Sequence, residues 1–119
     1  MKKPLIPSEH SEQVAFVRWF RATYPDVRIA AWPNGGYRHQ ETAGRIKREG
    51  GCRGVPDLYI PAWHLWIEMK RQKGGRLSAE QKDWMNYLVN EVGDHWMMCR
   101  GAADAQKKIL HFVEHELRL

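Results

Sequence analysis

Apolar residues change their spacing several times along this chain, and each change marks an element. Over residues 8–23 they recur at helical intervals, with Val14, Val17 and Phe20 on one side, Phe16 beside them, and Pro25 closing the segment. Residues 27–32 read as a short strand stopped by Pro33-Asn34-Gly35-Gly36, and 41–49 as a polar helix ending at Gly50-Gly51, so that 50–56 forms a loop. Residues 57–60 and 65–70 alternate apolar and polar positions, with Pro61-Ala62-Trp63-His64 as a turn between them, which predicts an antiparallel hairpin. Ser78 and Gln81 form a capping box that opens a helix carrying Trp84, Met85, Leu88 and Val92, and Gly93 stops it. A strand over 95–100 follows. Gly101 then precedes a last helix bearing Ala105, Ile109, Phe112, Val113 and Leu117 on one side.

The order is helix, strand, helix, strand, strand, helix, strand, helix. Interleaved elements of this kind pack economically as an α/β (α+β) fold, a mixed central sheet flanked by helices, in one domain over residues 1–119. Trp32, Trp66, Trp84 and Trp96 fall in or beside these elements and are expected in the core, whereas Trp63, in the hairpin turn, is expected at the surface.

Composition narrows the class of protein. Nineteen Lys and Arg against 14 Asp and Glu give a formal net charge of +5, compatible with a polyanionic partner, because each phosphate met by a basic side chain releases condensed counterions. Two cysteines, Cys52 and Cys99, are too few for a disulfide scaffold or a zinc finger and suit a reducing, cytoplasmic setting. The apolar pair Leu5-Ile6 lies between two prolines, too short for a signal segment, and no stretch reaches the ~18 apolar residues of a membrane span. No membrane partner is expected.

Strand alternation then brings chemistry into view. With Leu65, Ile67 and Met69 on one face of their strand, Trp66, Glu68 and Lys70 share the other, and Asp57 approaches them across the hairpin. Two carboxylates beside a lysine make an oxygen-ligand site suited to Mg²⁺ or Mn²⁺. Phosphodiester hydrolysis uses such parts, a hard cation together with a positive group near the reacting phosphate. A solvated surface ion pair is the alternative reading of Glu68 and Lys70 viewed in isolation. Lys47, Arg48 and Arg53, with Arg71, Lys73 and Arg76, flank these residues on both sides and are candidates for phosphate contacts, as are Tyr37, Arg38 and His39 after the Asn34-Gly35-Gly36 turn. His111 and His115 stand at a metal-compatible i, i+4 spacing without a third ligand in evidence.

Gly54-Val55-Pro56-Asp57-Leu58 followed by Ile67-Glu68-Met69-Lys70 resembles the Pro-Asp…Glu-x-Lys motif of the PD-(D/E)XK nucleases. It is most similar to the VRR-NUC (virus-type replication–repair nuclease) branch. Pro33-Asn34-Gly35-Gly36, Gly74-Gly75 and Leu77-Ser78-Ala79-Glu80-Gln81 extend the likeness in the same order. The resemblance implies a restriction-endonuclease-like core with Asp57 and Glu68 as metal ligands, joined by the backbone carbonyl of Met69. It further implies Lys70 as catalytic lysine, Gln81 close to the site, and an acid of the first helix as a further ligand. For that acid Glu9 fits the family spacing best, with Glu12 as its rival. For Gln81 the capping box is a sufficient explanation in itself, and the two roles are compatible.

The implied activity is metal-dependent endonucleolytic hydrolysis of DNA in replication or repair, selective for branched structures such as Holliday junctions and carried out by a homodimer. Two alternatives remain open: flap or nicking specificity, and a DNA-binding module with a vestigial nuclease site.

Overall fold

The computed structural model describes residues 5–32 and 40–117, excluding the side chains of 40–43. The turn Asn34-Gly35-Gly36 and its neighbours Tyr37, Arg38 and His39 lie outside the described residues. Helix α1 spans Glu9–Thr23 and starts at Ser8, whose side chain accepts the N–H of Ser11. Strand β1 is Ala30–Ala31, helix α2 is Gln40–Arg48, and strands β2 (Leu58–Ile60) and β3 (Leu65–Lys70) form the hairpin. Helix α3 covers Ala79–Asn86 and runs on as a π-helical turn over Tyr87–Val92. Strand β4 is His95–Arg100, and helix α4, Ala102–Phe112, also ends in a π-helical turn, Val113–Leu117.

The four strands stand in the order β1-β2-β3-β4. Both β1 and β3 pair antiparallel with β2, whereas β3 and β4 run parallel, with Lys70 beside Arg100. The parallel pair follows from connectivity: α3 carries the chain back to the starting end of the sheet, as a strand–helix–strand crossover requires.

Helices cover both faces near β3, so all six of its residues are buried. On one face Leu58, Ile60, Leu65, Ile67, Met69 and Cys99 pack against Phe16 and Phe20 of α1 and against Ala105, Ile109 and Phe112 of α4. The other face carries a smaller cluster of Val55, Trp66 and Leu88, joined by Tyr59, Trp84 and Trp96. Tyr59 and Trp66, paired across the hairpin, stack with ring centroids 4.1 Å apart.

Five expectations need correction. The buried stripe of α1 runs through Glu12, Phe16 and Phe20, an i, i+4 row, and Val14 is 41% exposed on the outer side. The strand expected over 27–32 shrinks to two residues, because Val27 is still bound in a turn, its N–H reaching the carbonyl of Tyr24. Trp63 is buried rather than exposed. The short 3₁₀ turn Pro61–Trp63, closed by His64 in the left-handed region (φ 49°), folds its indole onto Phe20, Tyr24 and Phe112. The exposed tryptophan is Trp32, at 48%. Val92 also faces outward, since the π-helical turn inserts an extra residue per turn and rotates it off the α3 stripe.

Phe16→Ala is expected to cost about 3–5 kcal/mol of stability and Val14→Ala less than about 0.5 kcal/mol. Urea unfolding with an unchanged m-value checks both, and similar losses at the two positions would contradict the helix orientation.

Candidate active site

Glu68 lies in the middle strand, and the hairpin register determines what faces it. Leu58 pairs with Ile67, Tyr59 with Trp66 and Ile60 with Leu65, and one further step of the same register sets Asp57 opposite Glu68. Asp57 is locked there by a hydrogen bond, its Oδ2 accepting the backbone N–H of Met69 at 2.8 Å. The approach to Asp57 is tightly built. Gly54 has φ 91° and sits so close to α3 that a Cβ there would come within 2.5 Å of the Glu80 backbone, so only glycine fits.

Lys70, two residues beyond Glu68, shares its face. Glu68 is 3% exposed and Lys70 8%, which rules out the reading of a solvated surface pair. Their charged atoms stand 3.9 Å apart, and Gln81 bridges them more closely. Its Oε1 accepts from Lys70 Nζ at 3.0 Å and from the backbone N–H of Ser78 at 2.8 Å, while its Nε2 donates to Glu68 Oε1 at 2.8 Å. The amide can point only this way, because an NH₂ group cannot accept from an ammonium and an N–H. The capping box and the site contact are thus made by one side chain at once.

Burial makes this cluster electrostatically tense. Desolvation and then the charge of Asp57 push the Glu68 carboxyl up to about 9, against the opposing charge of Lys70, and Glu9 adds a further repulsion. Burial likewise raises Asp57, offset in part by the Met69 N–H, the hydrogen bond with Glu68 and the charge of Lys70. The interaction between the two carboxyls thus favours the protonated form of Glu68 over that of Asp57.

The structure brings together Asp57, Glu68, Met69, Lys70 and Gln81. Glu9 does not join them: it is exposed, and it reaches Glu68 only through its charge. Its rival Glu12 is buried and committed elsewhere, its Oε2 accepting from Gln72 Nε2 at 3.0 Å and abutting Gly101. Among the described residues no three His, Cys, Asp or Glu side chains converge closely enough to hold a metal ion by themselves. His111 and His115 do meet, with ring centroids 4.2 Å apart on an exposed helix face.

Register also places Arg100 next to Lys70 at the end of the parallel strand. Hairpin reasoning missed this residue, and the crossover rule applied to the order strand, helix, strand would have found it. Lys47, Arg48, Arg53, Arg71, Lys73 and Arg76 are all exposed.

A solved structure described as a VRR_NUC domain protein superposes with a TM-score of 0.72, at 22% sequence identity, over 92% of this chain and 91% of that one. The chain has a VRR-NUC fold. No family model and no curated protein sequence matches it. On this VRR-NUC fold the Asp57–Glu68–Lys70–Gln81 network sits at the end of the central strand, on the face opposite α1 and α4. Among the described residues no helix is long and apolar enough to cross a membrane.

The raised carboxyls have a consequence for stability. A carboxyl at 4.5 when unfolded and about 9 when folded binds more protons in the folded state between those values. Without divalent cations, stability should therefore fall as pH rises from about 4.5 toward about 9, and Asp57 acts in the same direction. Glu68→Gln should flatten most of that fall. Urea midpoints across this range check it, and an identical slope in the variant would contradict the assignment.

Proposed function

We propose that the protein is a metal-dependent DNA endonuclease that hydrolyses phosphodiester bonds. The observation that carries this reading is the buried Asp57–Glu68–Lys70 cluster held by Gln81, in the order of a Pro-Asp…Glu-x-Lys motif and on a VRR-NUC fold.

The donor set fits a hard divalent cation. Two carboxylates forced together in the interior, one of them driven to keep a proton, gain by exchanging that proton for Mg²⁺ or Mn²⁺. Asp57, Glu68 and the backbone carbonyl of Met69 would hold the ion, with water completing the oxygen shell. Glu9 would contribute negative charge at the rim. The chemistry such an ion supplies is polarisation of the phosphoryl oxygen and a lowered pKa for a bound water.

The remaining steps belong to the chain. Lys70 has three N–H donors and gives one to Gln81, which leaves two to orient an attacking water or to stabilise charge on the phosphate. Gln81 keeps Lys70 and Glu68 in fixed relation, bridging a pair whose charged atoms stand 3.9 Å apart. Arg100 and the exposed basic residues on either side would meet neighbouring phosphates. We further propose branched DNA such as Holliday junctions as the substrate and a homodimer as the working form, since a two-fold dimer presents two sites to a two-fold substrate.

One observation favours a second reading, a DNA-binding module with a vestigial site: the described residues offer two converging acids, not three. Cleavage of four-way, flapped, nicked and linear DNA in Mg²⁺ and in Mn²⁺ separates the readings. The nuclease reading expects cutting that falls by about 100-fold or more in Asp57→Ala, Glu68→Ala and Lys70→Ala and by about 10-fold in Gln81→Ala. Binding without cleavage of any substrate in either metal would establish the module instead, and wild-type rates in the variants would sink the site.

A further inference from the structure

Next to the acid–lysine cluster, on the same sheet face, lies a cavity of about 400 Å³ that the hydrolytic reading does not use. It is lined by Trp32, Trp66, Trp84, Val55 and Ile46 together with residues 49–52. Four of these five residues are tied to a site residue. Val55 precedes Asp57 by two residues, and Trp66 precedes Glu68 by two within β3, a spacing of about 7 Å along a strand. Trp84 follows Gln81 by three, on the same side of α3. The backbone N–H of Trp32 donates to the Asp57 carbonyl at 2.9 Å.

We propose that this cavity receives a single nucleobase, unstacked from the DNA strand whose phosphate occupies the Asp57–Glu68–Lys70 site. The proposal rests on the nuclease reading and adds a base-binding subsite to it. The ring of Trp66 is a rigid plate, stacked on Tyr59 at 4.1 Å, and its indole N–H is already satisfied by Asp94 at 2.9 Å. Flat aromatic walls take any base, because every base offers a π-face. The volume lies within the range of small-ligand sites. An apolar metabolite would need no cations nearby, yet exposed Lys47, Arg48 and Arg53 adjoin the lining residues Ile46, Glu49 and Cys52 in sequence, available to the sugar–phosphate on either side of an inserted base. Within this lining Gly51 has no room for a side chain, since a Cβ there would strike Ile46.

The test is an abasic scan. Fluorescein-labelled single-stranded oligonucleotides, each lacking one base at a different position, are titrated with the full chain in Ca²⁺ and followed by anisotropy. Wild type is expected to lose about 10-fold in affinity when one particular base is missing, and little elsewhere. Trp84→Ala and Trp32→Ala should bind the intact strand about 10-fold more weakly and become indifferent to that position, while Trp84→Phe, which keeps a ring, retains the dependence. Circular dichroism confirms that each variant is folded. Uniform binding across the scan, or tryptophan variants with the wild-type pattern, would overturn the subsite. So would protein association that rises with concentration and is lost in Trp32→Ala, which would assign the cavity to a second copy of the chain. Cleavage that persists alongside a flat scan removes the subsite and leaves the nuclease standing. A position-dependent scan without cleavage in Mg²⁺ or Mn²⁺ does the reverse.

Discussion

Two carboxylates face each other inside a sheet, and the rest of the molecule is arranged around that repulsion. Burial alone would drive both to take up protons, and their mutual charge makes this worse for Glu68. Yet neither can move away. Asp57 is fixed by the hairpin register and by the Met69 N–H, and Glu68 by the middle strand of a sheet covered on both faces. Such an arrangement costs stability whenever both acids are ionised, and a hydrophobic pair in their place would remove that cost.

Gln81 is the hinge of this compromise. Lys70 alone could neutralise Glu68 by direct contact, which would quiet the cluster and tie up the ammonium. Instead the amide stands between them, accepting from one and donating to the other, and it is anchored to the Ser78 N–H at the start of α3. The helix start and the site are thereby one structure. Loss of the Ser78 cap would loosen the amide, and with it the separation of the two charges. The close approach of Gly54 to Glu80 brings the loop before Asp57 against the same helix turn, so α3 adjoins both acids.

Much of this was legible from spacing. Period-two alternation alone puts Glu68 and Lys70 on one face, and a four-residue hairpin turn brings Asp57 opposite, because a tight turn leaves few registers open. The capping box announced Gln81, although as a helix signal rather than a site residue. What spacing did not reveal depends on long-range packing. The direction of β4 follows from the path of α3, and Arg100 entered the picture only with that parallel pairing. Glu9 and Glu12 both border the apolar side of α1, and only docking of that helix separates them. Trp63 looked like a turn residue until a left-handed His64 folded it inward. Val92 left its stripe because a π-helical turn broke the 3.6-residue period on which the expectation relied.

The two acids of α1 show how docking divides labour between similar residues. Glu12 lies on the buried row with Phe16 and Phe20, and a buried carboxylate must find partners. It finds Gln72, two residues beyond Lys70, and it lies against Gly101 at the exit of β4, where a Cβ would collide with its carboxylate. Gly101 also holds φ 93° and donates its N–H to the Lys70 carbonyl at 3.0 Å. One carboxylate therefore braces the ends of both parallel strands just where Lys70 and Arg100 leave them. Glu9, a turn earlier and solvated, is free of such duties and acts on Glu68 through its field. Substitution of Glu12 would thus reach the site through the position of Lys70, whereas substitution of Glu9 would change only the charge that Glu68 feels.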